Sequence, residues 1–243
     1  MNTDAISRTA NKQPPDQAAL RSAGALYLLL TVTSIFGFFV PMSLITQGDA
    51  AATVNKILAS ETLFRLAIVS GLISTLSFIF LAFQLYRLLN HVNKTHASVM
   101  VILVLLSVPV SFLTTLNEMA ALAVIHGGAS LSGFATSQIN SMAVLFLQLS
   151  SNVSSVNSIY FGLWLVPLGL LVIRSGFVPR ILGILLFISA AAYVVSSLNF
   201  LISPPYANVI SSITGAGFFG ELGMVAWLVF RAAQIQFGGR PLA

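Results

Sequence analysis

Long apolar runs alternate with short polar breaks along the 243 residues. Neither the two-residue alternation of a half-buried strand nor a repeat of fixed period interrupts them. A helix needs about 20 mostly apolar residues to cross a bilayer. Six segments meet that length: about 23–45, 63–86, 98–125, 156–173, 181–202 and 208–230. The first, "AGALYLLLTVTSIFGFFVPMSLI", is too long for a secretory signal core of about 7–15 residues and reads as a permanent helix. The fourth has an open start, because "LQLSSNVSSVNS" (147–158) is too polar to face lipid yet acceptable inside a bundle. That helix begins either near Ile139 or near Val156. The pattern predicts an all-α bundle of six transmembrane helices in one domain, 21–234. A polar, proline-broken tail precedes it (1–20, read as disordered), and a short tail follows it (235–243).

The punctuation agrees with this plan. In "RSGFVPR" (174–180), Gly176 falls where a helix ends and Pro179 where the next begins. Asp49 is placed to cap a short helix in "GDAAATVNKIL", and Ser60 to cap the second span with Glu61 in its first turn.

Composition settles the class. The chain is 57% hydrophobic and only 7% charged, with a mean hydropathy of +0.94. A soluble domain carries about 25% charged residues. The net charge of +5 does not point to nucleic acid, because the basic residues sit in short clusters between apolar runs. Arg8, Lys12, Arg21, Arg87, Lys94, Arg174, Arg180, Arg231 and Arg240 fall on one side of the six spans; Lys56 and Arg65 fall on the other. By the positive-inside rule both termini are cytoplasmic, as expected of a multi-pass membrane protein with an even number of spans. The partner implied everywhere is the lipid bilayer.

Conventional enzyme motifs are missing: there is no HExxH, no phosphate-binding glycine loop and no GxSxG. Without cysteine there is no thiolate site or disulfide. His91, His96 and His126 lack the spacing of a metal site and read as solvated loop histidines, so no metal or cofactor is expected.

Ionisable residues inside spans carry more information, because they are rare and usually face the bundle interior. Glu118 lies about 30 Å from the inner end of the third span, at a depth near that of Arg65. Glu61 and Arg65, at i and i+4, form either a simple ion pair at the rim or half of a network. In the network reading Arg65 reaches across to Glu118 and lines a cavity. Asn117 points about 100° away from Glu118, towards a third helix. Glu221, in "GAGFFGELGMVAW" (215–227), stands about 15 Å from Arg231 along the helix, near the midplane. Thr214 and Gly217 share its face, and Gly220 and Gly223 form a neighbouring face for close packing. A carboxylate there is costly to hold ionised without a positive partner. It serves either as a hydrogen-bonded tie between helices or as a proton or cation site. Ser70, Ser74, Ser77 and Gln84 form a polar stripe on the second span. Pro109 and Pro167 each free a backbone carbonyl, as transporter helices often do at binding sites.

Five stretches together resemble one family: "RSAGALYLLL" (21–30), "GDAAATVNKILASETLFRL" (48–66), "LYRLLNHVNK" (85–94), "FGLWLVPLGLLVIRSGFVPRILGILL" (161–186) and "GELGMVAWLV" (220–229). It is the bacterial six-helix membrane family catalogued as domain of unknown function 4386. The resemblance runs over nearly the whole chain from residue 21 and implies an all-helical membrane protein. It carries over Arg65, Arg174, Pro179 and Glu221, and implies no activity. Relatives often carry an acid late in the first span, where this chain reads "GFFVPM" (37–42).

The reading that follows is a six-helix inner-membrane protein handling a small ion or solute through a titratable Glu221. The alternative is a non-transporting interaction or sensing subunit, a homo-oligomer or a binder of partner helices through its glycine faces. An intramembrane enzyme ranks behind both.

Overall fold

The computed structural model describes residues 17–128, 131–202 and 220–231. Its helices are α1 (Gln17–Leu44), α2 (Ala50–Ala59), α3 (Glu61–Leu89), α4 (Lys94–His126), α5 (Thr136–Leu163), α6 (Leu165–Ser175) and α7 (Arg180–Ile202). A further helical stretch covers 220–231. The described residues contain no strand. Five helical segments are long and apolar enough to cross a membrane: α1, α3, α4, the run Thr136–Ser175, and α7. Of the expected sixth span, 208–219 lies outside the described residues.

Large apolar side chains such as Phe38, Phe39, Phe80, Ile102 and Ile181 are exposed around the bundle. In water this surface would be untenable; against lipid tails it is what a span needs.

Three sequence expectations require correction at element ends. Helix α1 starts at Gln17, so residues 17–20 are not disordered; Ala19 and Leu20 are fully buried against the core. The fourth apolar run takes the early start. Helix α5 begins at Thr136, and the whole run of 40 residues is about 60 Å at 1.5 Å per residue, far more than a bilayer needs. It breaks at Trp164. Pro167 explains the break, since it has no N–H to donate to the Leu163 carbonyl one turn earlier. Ser60 caps nothing with its side chain. Its backbone N–H instead closes α2 onto the Lys56 and Ile57 carbonyls.

Other ends follow the sequence. The Asp49 carboxylate accepts the Ala52 amide at 2.8 Å. Gly176 ends α6 at φ 72°, a left-handed turn that a side chain would strain, and α7 starts just after Pro179.

The helices pack antiparallel, α1 against α3 and α4 against α5, with α7 against α5 and α6. Small residues set the closest approaches. A Cβ on Gly162 of α5 would lie 2.7 Å from the Ala190 carbonyl of α7, and one on Gly183 would lie 2.9 Å from the Gly169 carbonyl of α6.

The core is layered along the bundle axis. One apolar cluster, including Leu81, Leu85, Met100, Trp164, Leu186 and Met224, occupies the end carrying Arg87, Lys94, Arg174 and Arg180. A second, including Leu44, Ile57, Phe64, Leu122 and Leu147, occupies the opposite end, with Glu61, Arg65 and His126. Between them in chain position on α1, α3, α4 and α5 lie polar residues.

A candidate functional site in the mid-span polar layer

On α1 and α3 the layer is Thr33, Ser34, Ser70, Ser74 and Ser77. The Ser70 hydroxyl donates to the Thr33 carbonyl at 3.1 Å, and the Ser34 and Ser74 hydroxyls pair at 2.9 Å. The serine stripe read from the sequence therefore faces α1 and ties the two helices together. On α4 and α5, Asn157 donates to Ser111 at 2.9 Å, and Ser150 donates to Glu118 at 3.3 Å. These two bonds are seven residues apart on both helices, or about 10 Å, with the buried Thr115 between them. Asn157 is 2% exposed, and its carbonyl oxygen has no partner. Gln84, at the far end of the stripe, also keeps a buried side-chain oxygen without a partner.

Glu221 stands where the helical stretch 220–231 meets α1 and α7. Two glycines hold that stretch against α7. A Cβ on Gly220 would collide with the Ser189 hydroxyl and lie 2.6 Å from the Leu185 carbonyl; one on Gly223 would meet Leu182 at 3.0 Å. Gly24 of α1 does the same on the other side, where a Cβ would lie 3.1 Å from the Leu228 carbonyl. Backbones this close leave little room, and Glu221 is partly buried. Two tyrosine side chains stand close enough to interact with its carboxyl, Tyr193 of α7 and Tyr27 of α1. Tyr27 is 1% exposed, and its hydroxyl finds no partner at close hydrogen-bond geometry, so it faces the carboxyl loosely. Tyr193 belongs to an aromatic wall. Its ring lies 6.4 Å from Phe161, Phe161 lies 5.9 Å from Phe78, and Phe78 lies 4.9 Å from Trp164, all edge-on. The wall ends at the helix break, where Pro167 is buried.

The other expected site residues separate. Arg65 does not reach Glu118. Its Nε donates to Glu61 at 2.7 Å on the same helix, and the same carboxylate oxygen lies 3.1 Å from Nε2 of His126. The network reading of Arg65 fails because a partner one helical turn away satisfies it first, while Glu118 is served by Ser150. His126 is correspondingly a link between α3 and α4 and not a free loop side chain. Asn117 donates to the Leu113 carbonyl of its own helix at 2.7 Å, so it bonds no third helix. Pro109 lies on the exposed outside of α4 and lines nothing. Thr214 and Gly217 lie outside the described residues. No group of three or more metal-ligating side chains occurs among the described residues.

A consequence is measurable. Arg65→Ala and Glu118→Gln should have additive effects on the thermal midpoint in detergent, since they share no partner. Arg65→Ala with Glu61→Gln should be non-additive, by the small amount expected of an exposed pair one turn apart. Coupling between Arg65 and Glu118 would contradict the geometry.

Sequence reasoning missed both tyrosines, although a signal was there. Tyr86 lies near the end of α3, where a hydroxyl can meet water. Tyr27 ("GALYLLL") and Tyr193 ("AAYVV") lie inside apolar runs, where a hydroxyl needs an internal partner.

Residues 22–232 match the family described as Domain of unknown function (DUF4386). The chain belongs to this family. The match takes in all but the first residues of α1, α2 through α7 and Glu221, so every feature of the polar layer lies within the DUF4386 domain. An uncharacterised protein of Archaeoglobus fulgidus is 35% identical over 85 residues, covering 35% of this DUF4386 chain and 49% of that protein. The chain thus spans about half the length of that relative. No solved structure matches it.

Proposed function

We propose that this DUF4386 protein passes or senses a small ion or solute across a bacterial inner membrane, with Glu221 as its titratable group. The observation that carries the reading is the junction at Glu221. A carboxyl in mid-bundle is met by two hydroxyls from two other helices, at the edge of a polar layer between two apolar clusters. Intramembrane acids facing a bundle interior mark ion and proton pathways more often than they mark structural ties. Glu118, with Ser150 as its partner, is a second carboxyl in the same layer. The arrangement offers a carboxyl that can give up or take a proton while its hydroxyl neighbours re-orient to serve either state.

The alternative, a subunit that binds partner helices, loses its main support. Gly220 and Gly223 are occupied by the chain's own α7.

The basic end faces the cytoplasm in this proposal. Because the chain has no cysteine, single cysteines report orientation directly. A membrane-impermeant thiol reagent applied to intact cells should label Ser137→Cys at the start of α5 and spare His91→Cys in the α3–α4 turn. The opposite pattern would invert the topology.

Function is tested in liposomes of purified protein loaded with a pH-sensitive dye. Proton movement driven by an imposed Na⁺ or K⁺ gradient should exceed that of empty liposomes and be lost in Glu221→Gln. Transport that survives the substitution would remove Glu221 from the mechanism.

A further inference from the structure

At the basic end of the bundle the α6–α7 turn and the end of stretch 220–231 enclose a groove of about 390 Å³, open on one side. Its walls include Gly176, Phe177, Pro179, Trp227, Phe230 and Arg231. The volume falls within the roughly 300–1,000 Å³ typical of small-molecule clefts. The Phe177 and Trp227 rings in its lining stand 6.0 Å apart at 46°, while Arg231 supplies its charge. Arg174 and Arg180 flank the turn and are exposed. No acidic residue lines the groove, and Glu221 is about 15 Å away along the helix.

We infer that this groove binds the phosphate headgroup of an anionic bilayer lipid. The chemistry required is a phosphate monoanion beside an apolar body. Guanidinium groups match the first, and an indole and a phenyl ring at a span end match the second. Arg231 already has an interaction of its own, but its five N–H donors leave capacity for a phosphate. Position selects a lipid over a soluble phosphate compound. The groove adjoins the end of α3, where Leu85, Leu88 and Leu89 meet Phe177 and Val178, so it opens at the level of headgroups. The slot between those residues has only about 10 Å³ of free space, less than an acyl chain needs. The chains therefore stay in the bilayer and only the headgroup is held. This inference is independent of the role assigned to Glu221.

The test uses full-length protein in nanodiscs of phosphatidylcholine alone or mixed with phosphatidylglycerol, extracted gently and weighed by native mass spectrometry. Phosphatidylglycerol should be retained in preference to phosphatidylcholine. Retention should fall about fivefold in Arg231→Gln and again in Arg231→Gln/Arg180→Gln, since each basic residue near an anionic surface is worth about that factor. Arg65→Gln, at the opposite end, should leave it unchanged. Trp227→Leu should weaken retention with charge intact, and Arg180→Gln alone, in an exposed turn, covers the case in which Arg231→Gln fails to fold. Equal retention of the two lipids, or an equal loss in Arg65→Gln, would overturn the proposal. Displacement of phosphatidylglycerol by millimolar inorganic phosphate would overturn it too, by making the site one for free phosphate.

Discussion

Gly220→Ala is expected to destabilise the protein, whereas Gly71→Ala should not. In an ordinary helix, replacing glycine by alanine gains up to about 1 kcal/mol from backbone entropy. Gly71 has open space where a Cβ would go, so nothing opposes that gain. At Gly220 the new Cβ would lie 2.6 Å from the Leu185 carbonyl and closer still to the Ser189 hydroxyl. A backbone carbonyl in a packed helix cannot swing aside, so the stretch 220–231 must retreat from α7. Overpacking of this kind costs about 1–3 kcal/mol. For a chain this long the loss corresponds to roughly 2–12 °C in the thermal midpoint. Gly220→Leu should cost more and should displace Glu221 from Tyr193. A Gly220→Leu protein with wild-type stability would mean that the stretch does not pack on α7 through this face.

The second large effect concerns what Glu221 does for its neighbours. Glu221→Gln keeps an acceptor for the tyrosine hydroxyls and should leave stability nearly unchanged. Glu221→Leu removes it. A buried hydroxyl left without a partner costs about 1–3 kcal/mol, and this cost would fall mainly on Tyr193 of α7, since the Tyr27 hydroxyl already lacks a close partner. Adding Tyr193→Phe and Tyr27→Phe to Glu221→Leu should therefore recover stability, although each tyrosine substitution alone in the wild type is neutral or mildly destabilising. Tyr193 should account for more of the rescue than Tyr27, whose hydroxyl is already loosely held. Thermal unfolding of the wild type and these variants in one detergent checks this. If the phenylalanine substitutions lower stability equally in both backgrounds, the tyrosines do not answer to Glu221.

The membrane class and the helical architecture were legible from the runs of apolar residues, because a span needs length and hydropathy that few other structures require. Caps were legible where chemistry is local: Asp49 acts on an amide three residues away. The early start at Thr136 was harder to see. The serines and asparagines of 147–158 look unsuitable for a span until Glu118 and Ser111 of α4 are known to face them. The Arg65 reading failed for a related reason. Depth estimated from rise per residue puts Arg65 and Glu118 level, but it does not say which way each points or that Glu61 stands nearer. The glycines at 220 and 223 were recognised as a contact face, yet nothing in the sequence named α7 as the surface they meet. Relations between helices distant in the chain are set by packing, and a single sequence carries little trace of it.

The central claim is that Glu221 carries ion-coupled proton movement. The liposome measurement addresses it most directly when wild type, Glu221→Gln and Tyr193→Phe are compared at matched protein content and orientation. The account predicts that wild type moves protons under an imposed Na⁺ or K⁺ gradient, that Tyr193→Phe is slower, and that Glu221→Gln matches empty liposomes while remaining folded. Equal proton movement in wild type and Glu221→Gln, or none above background in wild type with either cation, would contradict it.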